Sequence, residues 1–341
     1  MSATVSLLVI ALLASMTAAV TIGPVAINPV VVWKIIGAHV LAIDGGDWSN
    51  AHDNIVWLIR LPRVLLAGVI GASLSVVGAA MQATVRNPVA DPYILGLSSG
   101  ASVGAVLVIL FGLNVFGLYS LSIAAFLGAL GAFAIVFLLA QHRGRLTPVR
   151  LILVGVAASY VFSSVTSFLI FRAQESRQVQ AVLFWLAGSV AGAEWGFLTI
   201  PAAVLAMGTG FLMLQARAMN GLIAGEETAV TLGINMSRFR KQLMAVASLL
   251  TGVIVAVAGS IGFVGLLMPH AVRLFVGSDH RRLLPVAMLA GAIFLIWVDV
   301  VARVVVQPQE LPIGVITAIV GGPVFLLLMR KHSQAFGGGR A

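Results

Sequence analysis

Runs of about twenty consecutive apolar residues, repeated from one end of the chain to the other, narrow the possible folds more than any other feature of this sequence. They fall at roughly 3–22, 63–84, 93–112, 119–140, 148–172, 195–215, 241–259, 261–276, 283–303 and 311–330. A bilayer core about 30 Å thick is crossed by around 20 apolar residues in α-helix, because lipid offers the backbone no hydrogen-bond partner and a helix satisfies its own. A soluble core fails on charge. Only 9% of the residues are charged, against roughly 25% in a domain that must face water on every side. The 36 glycines suit helices that associate through small residues. The expectation is an all-α polytopic membrane protein of about ten transmembrane helices, one domain over 1–336, followed by a disordered Gly-rich tail at 337–341.

Lys and Arg set the expected orientation. Arg86, Arg143, Arg145, Arg150, Arg217, Arg238, Arg240, Lys241, Arg273, Arg281, Arg282, Arg330, Lys331 and Arg340 fall on one set of loops, and Lys34, Arg60, Arg63, Arg172, Arg177 and Arg303 on the other. The richer set, with both termini, is placed in the cytoplasm. The net charge of +9 therefore reads as topology, with lipid and not nucleic acid as the partner. No Lys or Arg precedes residues 3–22, so this run reads as an uncleaved first helix and not a secretory signal. The absence of cysteine excludes disulfides and thiolate-ligated metals.

A transporter draws on ATP, on an ion gradient or on neither. The chain has no Gly-x-x-x-x-Gly-Lys-Ser/Thr phosphate loop. It also places almost no ionisable residue at mid-membrane, where ion-coupled carriers keep theirs. Asp299 and Arg303 lie near the outer end of the ninth run, four residues apart with the acid first, the favourable order for an intrahelical pair. Energy coupling is thus expected on a partner. An ion-gradient-coupled secondary transporter is the alternative, and an intramembrane enzyme would need paired acids or a His-rich site.

Two stretches carry the most pattern. On the second run Gly68, Ala72, Ser75, Ala79 and Gln82 recur at three- and four-residue steps, a narrow face of small side chains that ends at Arg86-Asn87-Pro88-Val89-Ala90-Asp91-Pro92. In the long inner segment 216–240, Gly225 and Gly233 bracket a helix-length piece with Glu226 and Glu227 in its first turn, where the helix dipole favours acids.

These blocks, with Gly262 to Arg273, Asp299-Val-Val-Ala-Arg303 and Glu310 to Phe325 following in order, resemble the FecCD permeases, importers of vitamin B12, haem and ferric siderophores. The resemblance implies the type II ABC importer permease fold, with ten helices per subunit in a homodimer or close heterodimer. Two ATPase subunits, which carry the ATP and Mg, would dock on the cytoplasmic face and a periplasmic substrate-binding protein outside; this chain would bind no cofactor or metal. By position, Arg60, Arg63 and Arg303 would receive acidic residues of the binding protein. Gly225, Glu226, Ala229, Leu232 and Gly233 would contact the ATPase. Asn87 and Val89, with Pro148 and Val149, fall at the cytoplasmic gate, and Ser159, Ser163 and Thr166 line the fifth helix along the pathway. Pro148 and Val149 depart from the small hydroxyl residues that can occur at that gate. His270 reads as helix packing within a Pro-His pair rather than as a metal or haem ligand, and Met81, Met207 and Met213 read as packing.

Overall fold

The structure is a computed structural model and describes residues 2–42, 46–142, 145–231 and 233–331. Helix α1 (Ser2–Thr21) leads to α2 (Pro29–Leu41) and α3 (Asn50–Asn54), which runs through a π-helical stretch, Ile55–Arg60, into α4 (Leu61–Val85). A 3-10 turn, Pro92–Leu95, opens α5 (Leu97–Phe111). Then come α6 (Ser120–Ala140), a two-residue antiparallel pairing of Gln141–His142 with Arg145–Leu146, α7 (Pro148–Phe171), α8 (Ser176–Leu186) and α9 (Trp195–Leu214). Two short helices follow, α10 (Ala216–Ala224) and α11 (Glu226–Thr231). The chain closes with α12 (Met236–Ala258), α13 (Val264–Val276), α14 (His280–Val304) and α15 (Ile313–Lys331).

Among the described residues, seven helical stretches are long and apolar enough to cross a membrane, as befits a multi-pass membrane protein. The other three expected spans are helices too, and two of them, α5 and α13, are clearly shorter. At 1.5 Å per residue, α5 with 15 residues and α13 with 13 extend about 20–23 Å, less than the roughly 30 Å core. The expected run at 261–276 begins late because Phe263 takes a left-handed conformation (φ 67°) ahead of α13. The region 23–62, between the first two expected runs, contributes α2 and the start of a continuous helix from Asn50 to Val85.

That helix is the hub. It packs against α14, α13, α12 and α9, and 22 of the 25 residues of α4 are buried. The approach is close enough to depend on glycine. A Cβ on Gly71 would lie 2.1 Å from the Gly291 carbonyl oxygen of α14, and one on Gly78 would lie 1.8 Å from that of Gly265 in α13. The small face expected on this run is real, and two glycines outside the Gly68–Gln82 series make its tightest contacts.

Prolines leave backbone carbonyls unsatisfied, and side chains from neighbouring helices take them. In the π stretch the Leu61 N–H reaches Val56 O. The next amide in that register is Pro62, which has none, and the Trp57 carbonyl accepts instead from the indole N–H of Trp195 (2.9 Å). In α13 Pro269 withholds a donor in the same way. There Gln82 Nε2 of α4 donates to Gly265 O (3.5 Å), the carbonyl Pro269 leaves without its donor, and to Leu266 O (3.1 Å), while Gln82 Oε1 accepts from Arg273 Nη2 (3.0 Å). Met81 is buried as expected. Met207 and Met213 are more open, at 66% and 38% exposed.

Candidate functional site

Three groups of expected site residues occupy three separate parts of the molecule. The first lies where α1 ends, α4 begins and α14 ends. Arg60 and Arg63 sit one turn apart and so share a helix face. Each of Arg60, Arg63 and Arg303 is only 5% exposed, so none stands on an open surface while its present partners hold it. Arg60 Nη1 donates to Val20 O (2.8 Å) and Thr21 O (3.1 Å), and Nη2 donates to Val25 O (2.5 Å). Arg303 Nη2 donates to Ala19 O (3.0 Å). Two cations thus close the C-terminal end of α1, where the helix dipole favours them. Arg63 Nε donates to Asp299 Oδ1 (2.9 Å), and Arg303 Nε lies 3.1 Å from Asp299 Oδ2. Arg63 Nη1 donates to both carboxylate oxygens of Glu310 (3.0 and 2.8 Å). The expected Asp299–Arg303 pair is present. Its extension to Arg63 and Glu310 was not foreseen, because these partners are 236 and 247 residues apart in sequence.

The second group is the helical hairpin α10–α11. Gly225 (φ 131°, ψ 152°) holds a backbone conformation open essentially only to glycine, and it separates the two helices. At the far end Ile234 N–H donates to Ala229 O (3.1 Å) and Gly233 N–H to Val230 O (2.9 Å), with Gly233 at φ 77°. This is a Schellman closure, which asks for glycine at the left-handed position. Ala229 is fully buried and Val230 exposed, so Ala229 packs the segment inward and Val230 faces out. Leu232 and the tail 337–341 lie outside the described residues, as does the Glu226 side chain. Asn220 of α10 ties the hairpin to the body. Its Nδ2 donates to Asp279 Oδ1 (2.6 Å), and its Oδ1 accepts from the His280 N–H (2.9 Å). With the Arg281 N–H, this bond holds the Asp279 carboxyl below the usual carboxylate range.

The third group sits on and around α7. Asn87 Oδ1 accepts from the Val89 N–H (3.0 Å), a local turn just beyond α4. Two residues on, Asp91 Oδ1 accepts from the Tyr93 N–H (2.8 Å). Burial pushes the Asp91 carboxyl up to about 6, against that hydrogen bond. The following 3-10 turn touches α7 closely: a Cβ on Gly155 would be 1.9 Å from Ile94 O. Pro148 starts α7 and Val149 is exposed. Ser159 is half-buried and donates back to Gly155 O (2.9 Å). Ser163 is exposed, while Thr166 is buried and its hydroxyl has no partner among the described residues. The expected polar face therefore straddles the edge between packed and open sides. The open side is mainly apolar: Leu153, Tyr160, Val161, Phe168 and Phe171 are all exposed.

The sequence and the fold both match known proteins. The FecCD transport family profile matches residues 7–331. The cobalamin import system permease protein BtuC of Halobacterium salinarum is 46% identical over 82% of this chain and 74% of its own. The hemin transport system permease protein HmuU of Yersinia pestis is 39% identical over 85% and 89%. The Fe(3+)-citrate import system permease protein YfmD of Bacillus subtilis is 42% identical over 83% and 84%. A solved inward-facing transporter, assigned to the metal-chelate ABC type, superposes with a TM-score of 0.84 at 31% identity, covering 97% of this chain and 100% of that one. This chain belongs to the FecCD transport family.

Proposed function

We propose that this chain is the membrane-spanning permease subunit of a binding-protein-dependent, ATP-driven importer, and that its cargo is an iron chelate (ferric siderophore or haem) or cobalamin. The observation that carries the reading is the family match over 7–331, with relatives named for cobalamin, hemin and Fe(3+)-citrate import. It is not itself an enzyme; the ATPase is a separate chain, which holds the ATP and Mg. In this reading the chain crosses the bacterial inner membrane about ten times with both termini cytoplasmic, and it pairs with a second copy. The hairpin around Gly225, Ala229 and Gly233 offers Val230 and its neighbours to the ATPase. The cluster around Arg60, Arg63 and Arg303 underlies the face where the binding protein docks. The open side of α7, with Ser159, Ser163 and Thr166 at its edge, borders the pathway, and Asn87, Val89, Pro148 and Val149 close it on the cytoplasmic side.

Proteoliposomes provide the test. The chain alone takes up neither cobalamin, haem nor ferric citrate, whereas adding its ATPase and binding protein gives ATP-dependent uptake of one of them. Uptake by the chain alone, abolished by an uncoupler, would establish the secondary-transporter reading instead. The structure favours the first outcome. Asp299, a buried acid of the helical core, is already held between Arg63 and Arg303 and is poorly placed to carry protons.

A further inference from the structure

Three guanidinium groups and two carboxylates meet in the cluster at the ends of α1, α4 and α14, and its members are not held equally. Arg60 and Arg303 spend donors on backbone carbonyls at and just beyond the end of α1. Asp299, with 0% side-chain exposure, is shared by Arg63 and Arg303. Removing it would strand two buried cations. Glu310 differs: its side chain is 37% exposed, and among the described residues its hydrogen bonds to the cluster come from Arg63 Nη1. With three cations against two carboxylates, the cluster keeps one positive charge in excess, and Glu310 is its water-facing anion.

We infer that Glu310 is an exchangeable placeholder, which occupies Arg63 in the resting chain and yields that position to an acidic side chain of the docking protein. The inference rests on the proposed docking of a binding protein at this end. Water reaches the Glu310 end of the pair and screens it, so replacing one carboxylate with another costs little. A guanidinium that swaps carboxylates is never left bare in a buried site, so docking avoids the state that would be most costly. The fork of Arg63 also selects a carboxylate over other polar groups.

The exchange has a structural consequence. Glu310 stands three residues before α15. In this linker Leu311 N–H donates to Ala302 O (3.1 Å), and in the first turn of α15 Gly314 N–H donates to Gly188 O (3.4 Å). A Cβ on Gly314 would meet Ala187 O at 2.1 Å, so the first turn of α15 is seated directly on the segment following α8. Releasing Glu310 frees the linker that sets this seat, and docking is passed on to α15.

The experiment uses the intact permease–ATPase complex in nanodiscs, titrated at low salt with its cognate binding protein. Glu310→Gln keeps the shape and removes the competing charge; it is expected to tighten binding about three- to tenfold. Glu310→Asp, with a shorter reach, is expected to move the same way by less. Because the chain has no cysteine, a nitroxide at Gln309→Cys reports on this linker alone. It is expected to be immobile in the free complex, mobile on docking, and already mobile in the Glu310→Gln background. Binding by Glu310→Gln no tighter than wild type, or a label that docking leaves unchanged, overturns the placeholder. A wild-type complex that binds no such partner overturns the proposed function itself, a separate result.

Discussion

Helices α4 and α7 are nearly the same length and similarly apolar, yet their surroundings are opposite. In α4, 22 of 25 residues are buried; in α7 only Leu151, Gly155 and Thr166 are, out of 24. Both would read as membrane spans by hydropathy alone. The difference lies in where glycine meets a neighbouring backbone. Gly71 and Gly78 let two helices approach α4 along its length, whereas Gly155 admits only the turn at Ile94. Apolar side chains drive water out but do not choose between lipid and protein, because lipid tails are as apolar as leucine. Packing in a membrane is decided by close approach and by polar contacts. The rest of α7, with Tyr160 73% and Phe171 87% exposed, faces outward from this chain.

That contrast can be broken most directly at Gly78. Gly78→Leu drives a side chain into the Gly265 backbone, and the expected outcome is loss of folded protein, read by gel filtration of detergent extracts. Recovery of a monodisperse, normally stable protein would mean that α4 is not the hub. Asp299→Asn is next in size. It removes the anion shared by two buried arginines and is expected to cost about 3–5 kcal/mol, measured by unfolding in mixed micelles. A cost below about 1 kcal/mol would show that these arginines are hydrated.

The joint between the two helices gives a smaller, pH-dependent effect. Burial raises the folded-state value of the Asp91 carboxyl from 3.8 to about 6. The unfolded chain therefore ionises first, and stability falls as pH rises from about 4 to 6, then levels off. Asn at 91 can keep the acceptor for the Tyr93 N–H without titrating. Asp91→Asn is expected to flatten this slope and, allowing for partial exposure, to stabilise the protein at pH 7.5 by about 1 kcal/mol. Midpoints at pH 4, 6 and 7.5 check it, and a variant with the wild-type slope would remove Asp91 as its source.

The smallest expected effect sharpens the other half of the comparison. Tyr160→Leu on the open side of α7 should shift the stability of the isolated chain by less than about 0.5 kcal/mol. A loss above about 1.5 kcal/mol would mean that α7 packs inside the chain after all.

Much of this architecture follows from the sequence alone. Apolar runs of bilayer length have one stable outcome in lipid, so all ten expected runs appear as helices, most within a few residues of their expected bounds, although the second belongs to a helix that begins at Asn50. The left-handed glycines at 225 and 233 likewise mark the hairpin, because few other residues tolerate those backbone angles. What only the tertiary structure decided are the contacts between distant segments. Arg63 joins Asp299 and Glu310, Gln82 serves the carbonyl freed by Pro269, and Trp195 serves the one freed by Pro62. A charge or a missing amide shows in sequence as a need for a partner, but the partner is fixed by which helices cross and at what depth. That crossing is set by packing summed over many residues, which no local pattern encodes.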